Sequence, residues 1–167
     1  MHTTHLILPT TTLFSLLLLL SACRASSSHT TQHDSARPTP PLADAEVMPF
    51  AVIRDADDAR RFYCDTLGLE PLDGDPYALV LRSGPSIIRL QINPNHQPSR
   101  ATTLGWRVKD IRATLRRLAA AGVAPERYDW MNVQDDSGVA TFPNGDMVAW
   151  FKDNEGNLLS IAQLAHN

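Results

Sequence analysis

The sequence predicts an α+β protein built from two copies of one βαβββ unit. Three observations support this fold class: a strand-and-helix pattern that occurs twice, two amphipathic helices that each follow an aspartate and precede a glycine, and a β-hairpin near the end of the chain. The chain has 167 residues, 43% hydrophobic and 20% charged. This composition suits one soluble domain with an additional segment.

The N-terminal segment differs in composition from the rest. No Lys, Arg, Asp or Glu precedes Arg24, and Leu6 to Ala22 is an apolar run. A run this short, followed directly by small residues, is typical of a secretory signal peptide. It ends in LSAC at residues 20–23, which resembles the lipobox of bacterial lipoproteins. That resemblance implies that Cys23 becomes the lipidated first residue of the mature protein.

Lipidation of Cys23, with palmitate among the acyl chains, would hold the protein on a membrane of the bacterial cell envelope. Arg24 is not the Asp that retains lipoproteins in the inner membrane, so we expect the periplasmic face of the outer membrane. An ordinary signal peptide or an uncleaved anchor is the alternative, because only His2 and His5 precede the apolar run where a Lys or Arg is usual.

Composition divides the chain into three segments. We interpret residues 1–22 as a lipoprotein signal peptide, 23–44 as the lipidated cysteine with a flexible linker, and 45–167 as the folded domain. The linker is rich in Ser, Thr and Pro and has too little apolar surface to fold. The net charge of −3 and the lack of a basic stripe argue against a nucleic-acid partner. Cys64 has no second cysteine to pair with if Cys23 is acylated, and its helical position predicts a small buried hydrophobe.

The first predicted unit begins with a strand over Val47 to Ile53. Asp55 caps a helix that runs to about Leu67, and Gly68 ends it. Helical spacing predicts that the buried face comprises Ala59, Phe62, Tyr63 and Leu67. Three strands follow, over about 70–73, 77–82 and 86–93.

The second predicted unit repeats this order. Its strand covers Thr102 to Val108, Asp110 caps a helix that runs to about Ala121, and Gly122 ends it. The predicted buried face comprises Ile111, Leu115, Leu118 and Ala119. The following strands cover about 126–130, 138–142 with 147–152, and 158–164, and the last two form the closing hairpin.

Two motifs resemble the vicinal oxygen chelate superfamily, the glyoxalase and bleomycin-resistance-like proteins. One is ARRFYCDTLGL at residues 59–69, and the other is the closing hairpin, in which Asn154 replaces the usual Pro and Glu155 the second Asp. The resemblance covers residues 46–164. It implies a curved, eight-stranded, cup-like sheet with helices on the convex face and a ligand on the concave face.

The family's metal enzymes place His, Glu or Gln at four equivalent positions of the cup. Carried over to this sequence, those positions are Met48, Arg89, Thr103 and Ser160. None is a good ligand for a divalent cation, and a shift of one strand by two residues adds only Gln91. We therefore predict that the standard metal site is absent and that no metal cofactor is bound.

Strand alternation selects further candidates for the concave face. Arg89, Gln91, Thr103, Arg107 and Ser160 point to this face, and Trp130 lies in a loop at its mouth. The two arginines suit an anionic ligand but could instead pair with an aspartate, for which the candidates are Asp129, Asp135 and Asp146. Trp130, like Tyr128, either stacks on a ligand or closes the core. The sequence identifies no catalytic residue.

The resemblance leaves three classes of function. The leading hypothesis is reversible binding of a small organic ligand in a metal-free cup, as in the bleomycin-resistance-like proteins. The alternatives are a glyoxalase-like lyase, isomerase or dioxygenase-type enzyme with a non-standard site, and an envelope interaction module without a small-molecule ligand. The expected partners are a small molecule and, through Cys23, a membrane, and the resemblance allows a homodimer.

A metal titration tests the predicted loss of the metal site. We expect chelator-treated protein of residues 44–167 to bind zinc, nickel, manganese and iron no better than background. The physical reason is that thioether, guanidinium and hydroxyl groups are poor ligands for these cations. Stoichiometric binding at micromolar or tighter affinity would contradict the assignment and favour the enzyme hypothesis.

Overall fold

Two four-stranded sheets, each with one helix packed against it, make up the part of the chain that the computed structural model describes, residues 41–166. The predicted signal peptide (residues 1–22), Cys23 and the linker as far as residue 40 lie outside that part. Within the described residues, no helix is long and apolar enough to cross a membrane. Residues 44–167 form one compact unit with its own hydrophobic core, so this unit contains the contacts that its folding needs.

The first unit begins with strand β1, Phe50–Ile53, and helix α1, Ala56–Arg60, which continues directly as a π-helical segment, Arg61–Thr66. Strands β2 (Glu70–Pro71), β3 (Ala78–Ser83) and β4 (Ser86–Ile92) follow. Their order in the sheet is β1-β4-β3-β2. β1 is parallel to β4, and the other pairs are antiparallel.

The second unit repeats the first. Strand β5 (Leu104–Arg107) and helix α2 (Ile111–Ala120) precede β6 (Ala140–Thr141), β7 (Met147–Lys152) and β8 (Leu158–Gln163). The order β5-β8-β7-β6, with β5 parallel to β8, matches the first sheet strand for strand. The predicted tandem βαβββ architecture is therefore confirmed, with the eight strands distributed over two mixed sheets of four.

Both predicted helix caps are present. The side chain of Asp55 accepts a hydrogen bond from the backbone N–H of Asp58, and that of Asp110 accepts one from Ala113, each at 2.8 Å. Gly68 and Gly122 follow the helices with φ of 78° and 81°. This left-handed conformation is strained for any residue with a Cβ, which explains a glycine at both ends.

Strand alternation separates two faces of each sheet. The helix side packs on the helices, and the opposite side is called the open face below. In β4, Ile88 and Leu90 are buried on the helix side, whereas Arg89 and Gln91 lie on the open face. β8 follows the same rule, with Ser160 half-buried on the open face. The faces predicted from the sequence for these strands agree with this burial.

Some predicted details are wrong. Residues 126–130 do not form a strand, because the side-chain amide of Gln134 binds the carbonyl of Glu126 and the N–H of Tyr128, each at 2.9 Å. The preceding residue, Pro125, forms an isolated β-bridge to Phe151. In α2, the predicted core residue Ala119 is exposed.

The turn between β7 and β8 joins the two units. The hydroxyl of Tyr63, in the π-helical segment, donates a 2.9 Å hydrogen bond to Asp153 Oδ2. Glu155 accepts hydrogen bonds from the backbone N–H groups of Arg54 and Asp55, at 2.7 and 3.1 Å, and from Arg54 Nε. Burial, together with the neighbouring Asp153 carboxylate, raises the pKa of Tyr63 above its ordinary value. Tyr63 is therefore a neutral donor across the junction.

We expect Tyr63→Phe to lower the free energy of unfolding of residues 44–167 by about 1.5–3 kcal/mol, the net value of a hydrogen bond to a charged group. The measurement is urea unfolding followed by circular dichroism. Tyr77→Phe is the matched control, because Tyr77 is 75% exposed, and its effect should stay within about 0.5 kcal/mol. Equal effects of the two changes would contradict a stabilising role for the Tyr63–Asp153 bond.

Candidate functional site

Three strands of the second sheet bring small and aromatic residues together on its open face. Ser160 of β8 lies opposite Gly105 of β5 on one side and opposite Trp150 of β7 on the other. The neighbours of Trp150 in β7, Ala149 and Phe151, are buried on the helix side. The indole of Trp150 is therefore on the open face, where its Nε1 donates to Thr102 Oγ1 at 3.1 Å.

Two more aromatic rings extend from Trp150. The rings of Trp150 and Tyr128 have centroids 5.9 Å apart at an interplanar angle of 74°, and Tyr128 and Trp130 follow at 5.6 Å and 40°. These are ordinary aromatic pair distances. Trp130 remains 77% exposed, so it does not fill the core. Tyr128, Trp130 and Trp150 are called the aromatic platform below.

The loop that carries Trp130 is held by one half-buried amide side chain, that of Gln134. Gln134 Nε2 donates to the carbonyls of Glu126 and Gly138, and Gln134 Oε1 accepts from the N–H of Tyr128, all at 2.9 Å. These three bonds fix the backbone on both sides of Trp130. Because the loop is already ordered, binding a ligand there would cost little further conformational entropy.

Gly105 leaves space beside the hydroxyl of Ser160. A Cβ at position 105 would lie 2.7 Å from Ser160 Oγ, closer than two such atoms can approach. Within residues 41–166, no hydrogen-bond partner occupies this half-buried hydroxyl. Ser160 can therefore donate to, or accept from, a molecule resting on the open face.

The charged side chains beside the aromatic platform, Lys152 and Glu126, form an ion pair with each other. Lys152 Nζ lies 2.8 Å from Glu126 Oε2, and this hydrogen bond raises the pKa of Lys152. Burial raises the pKa of the Tyr128 phenol, which stays neutral. The platform is thus an uncharged aromatic surface beside one ion pair.

Arg89 and Gln91 lie on the open face of the first sheet, away from the aromatic platform. Arg89 Nη2 makes a 2.6 Å ion pair with Asp75, and this hydrogen bond lowers the pKa of Asp75. The pairing alternative predicted for Arg89 is correct in kind, but the partner is Asp75. Gln91 is exposed, and Met48, just before β1, is 49% exposed.

The remaining candidates lie on β5 and its approach. The hydroxyl of Thr103 donates to the carbonyl of Leu158 at 3.1 Å. Arg107 is exposed and lines a cavity between the two units. Of the sequence-predicted residues, Ser160 and Trp130 are connected through the platform, whereas Arg89 and Arg107 are not part of it. Strand alternation in the sequence also assigns Gly105 to the concave face. Trp150 is not among the sequence-predicted site residues, although its neighbours in β7, Ala149 and Phe151, are core residues that face the other side.

The four positions implied for a metal are in equivalent places in the two units. In the first unit, Arg89 pairs with Phe50 of β1, and Met48 lies two residues before Phe50. In the second unit, Ser160 pairs with Gly105 of β5, and Thr103 lies two residues before Gly105. Their side chains are a thioether, a paired guanidinium and two hydroxyls, a set that does not fit a divalent cation. Among residues 41–166, no three His, Cys, Asp or Glu side chains are grouped to hold a metal ion.

Cys64 was predicted to be a small buried hydrophobe rather than a nucleophile. It is half-buried in the π-helical segment. Burial raises the pKa of its thiol, which disfavours the reactive thiolate. The thiol is therefore a poor nucleophile where it stands.

Comparison with known proteins agrees with this fold. Residues 47–161 match the family model described as the glyoxalase/bleomycin resistance protein/dioxygenase superfamily. A search of the curated proteins found no match.

Several solved structures share the fold. A bleomycin resistance determinant encoded on the transposon Tn5 is 20% identical, with a TM-score of 0.58 over 72% of this chain and 98% of that one. A lactoylglutathione lyase from Agrobacterium tumefaciens is 19% identical, with a TM-score of 0.56 over 75% and 96%. A superfamily member from Sphaerobacter thermophilus is 20% identical, with a TM-score of 0.55 over 70% and 94%. At these identities the likeness concerns the fold alone.

Proposed function

Because the chain belongs to the glyoxalase/bleomycin resistance protein/dioxygenase superfamily, we propose that it binds a small organic ligand reversibly and without a metal. The site is the open face of the second sheet. The observation that carries this proposal is Trp130, which is 77% exposed on a loop fixed by Gln134. A large aromatic side chain held rigidly in solvent is typical of a binding surface.

The chemistry of the site favours a flat ligand. Its ring system would stack on Trp130 and Trp150, and a polar substituent would reach Ser160 beside Gly105. Each aromatic contact contributes about 0.5–1.5 kcal/mol beyond the area it buries. The platform is neutral, so a charged group is not needed for recognition.

The residues at the metal positions do not favour the enzyme alternative. Lyase, isomerase and dioxygenase reactions in such a cup use a metal as a Lewis acid, and Met48, Arg89, Thr103 and Ser160 offer no suitable set of ligands. The function we propose therefore requires only the shape and chemistry of the open face. Binding and release would leave the ligand unchanged.

A thermal-shift screen of flat organic molecules against residues 44–167 tests the site. For molecules that bind, we expect Trp130→Ala to weaken affinity about tenfold, which corresponds to ~1.4 kcal/mol, without changing the melting temperature of the free protein. Gly105→Val should weaken the same molecules, because its side chain would occupy the space beside Ser160.

The matched control is Tyr77→Ala, which removes a 75% exposed ring of the first unit and should leave affinity unchanged. The proposed site would be wrong if every molecule bound Trp130→Ala and Gly105→Val as tightly as the unmodified protein.

We further propose that Cys23 is lipidated and that the protein is held on the cell envelope. Support comes from the lipobox-like residues 20–23 and the linker composition. A tether of this kind would present the folded unit at a membrane surface.

In a bacterial host fed an alkyne-labelled palmitate, we expect label in the full chain and recovery in the outer-membrane fraction. Cys23→Ala should lose the label, because residue 23 then has no thiol to acylate and Cys64 lies outside the lipobox-like residues 20–23. Cys64→Ala is the control and should keep it. Label that persists in Cys23→Ala, or disappears in Cys64→Ala, would exclude this lipid anchor.

The homodimer that the family resemblance allows stays a prediction. Val47, Met48 and Phe50 are 83%, 49% and 55% exposed along β1 and its approach. They offer an apolar surface that a second copy would cover. The proposed ligand site does not depend on this contact.

A further inference from the structure

A cavity of about 540 Å³ lies between the two units. Its lining includes Phe151 and Ile161, which face the helix side of the second sheet, and Leu118 of α2. The aromatic platform and Ser160 are on the opposite, open face of that sheet. The cavity is therefore separate from the ligand site proposed above.

The cavity follows from the unequal lengths of two equivalent turns. The turn between β7 and β8 has five residues, and its Glu155 accepts hydrogen bonds from the N–H groups of Arg54 and Asp55 at the start of α1. The equivalent turn between β3 and β4 has two residues, Gly84 and Pro85. Because each residue of a chain spans at most about 3.3–3.6 Å, the shorter turn reaches less far. It lines the cavity, whereas the longer turn closes the junction at its own end.

The walls of the cavity are largely apolar. Leu67, Leu69, Val108 and Leu118 line it and are half-buried. Protein interiors are normally packed too tightly to leave a space of this size. Apolar cavities of about 150 Å³ already bind benzene, and cavities of about 300–1,000 Å³ hold small organic ligands. The volume therefore suits an organic molecule larger than benzene.

Trp106 forms a fixed aromatic wall. Its ring stacks on Phe151, with centroids 6.5 Å apart and an interplanar angle of 25°. Its Nε1 donates to Ser83 Oγ of the first unit at 2.9 Å. Both the orientation of the ring and its distance from the first unit are thus set before any ligand arrives.

The charged residues of the lining do not favour an ionic ligand. Arg82 and Glu70 form a 3.3 Å ion pair with each other. Strand alternation directs the side chains of Arg82 and Arg107 to the open faces of their sheets, away from the apolar walls. A charged group among those walls would lose its hydration without gaining a partner. The lining therefore favours an uncharged ligand.

We propose that this cavity binds a small, uncharged, apolar organic molecule. The body of the ligand lies against Trp106 and Phe151 and between Leu67 and Leu118. The hydroxyl of Ser83 accepts its hydrogen bond from Trp106, so its own proton can be donated to one polar atom of the ligand. This site goes beyond the proposed function, because it uses the other side of the second sheet and none of the aromatic platform.

The test uses N-phenyl-1-naphthylamine, an uncharged aromatic probe whose fluorescence rises in apolar surroundings. The protein is residues 44–167 carrying Trp130→Ala, so that the aromatic platform does not contribute. We expect saturable binding with a micromolar dissociation constant. Leu118→Trp should weaken the probe at least tenfold, because the larger side chain occupies the space that the probe needs.

Ala119→Trp is the matched control. It adds the same ring to the same helix, but residue 119 is exposed and outside the lining of the cavity. The affinity of this variant for the probe should change less than twofold. Equal affinities of the Leu118→Trp and Ala119→Trp variants would overturn the proposal.

Methyl NMR locates the probe without a change at position 118, so the site can be tested even if Leu118→Trp disturbs folding. We expect the probe to shift the methyl resonances of Leu67, Leu118 and Ile161. The methyl resonances of Val133, which lies on the loop of the aromatic platform, should stay in place. No saturable binding below about 100 μM, or shifts confined to Val133, would overturn the proposal. Neither measurement depends on Trp130, so failure of the platform proposal is distinguishable from failure of this one.

Discussion

The turn between β7 and β8 is the constraint on which the rest of the structure depends. Asp153, Glu155 and Asn157 are the buried polar side chains of residues 41–166. Burying such groups is costly unless each finds a partner, and here each does. Asp153 Oδ1 accepts from the N–H groups of Glu155 and Asn157, which shapes the turn, and Asp153 Oδ2 binds Tyr63 and Asn157. Asn157 completes the network by donating to the carbonyl of Val52 and by a 2.7 Å hydrogen bond to His96 Nε2.

This network explains why the two units keep one relative position. Five of the partners of the turn belong to the first unit or the segment after it, namely Val52, Arg54, Asp55, Tyr63 and His96. The helix sides of both sheets share one core cluster, and the turn closes that core at one end. The open faces point away from it, so the aromatic platform is available to a ligand. The space between the units is lined by half-buried apolar residues such as Leu67, Leu118 and Trp106, and by polar residues that include Glu70 and Arg82.

Much of the fold follows from local rules that the sequence shows directly. Asp55 and Gly68 in the first unit are capping and stop signals that need no tertiary contact, and alternation along a strand identifies its buried face. The site is harder to predict, because it depends on contacts between distant residues. Arg89 pairs with Asp75, which the sequence does not single out, and Gln134 replaces a predicted strand with a loop that exposes Trp130. The cavity between the units is still harder to predict from the sequence. It is the space left between half-buried side chains, and no residue type indicates where such a space will form.

The short strand β5 contributes side chains to both faces of the second sheet. Gly105 and Arg107 are on the open face, with Gly105 beside Ser160, whereas the ring of Trp106 stacks on Phe151 on the helix side. β5 is an edge strand, with β8 as its one neighbour in the sheet, so the ladder fixes only one side of it. The bond from Trp106 to Ser83 fixes the other side by tying β5 to the first unit. Because alternate residues serve different faces, side-chain changes can alter one face of β5 without the other. The backbone they share is held in place by both units, so its position depends on the same junction that the buried turn closes.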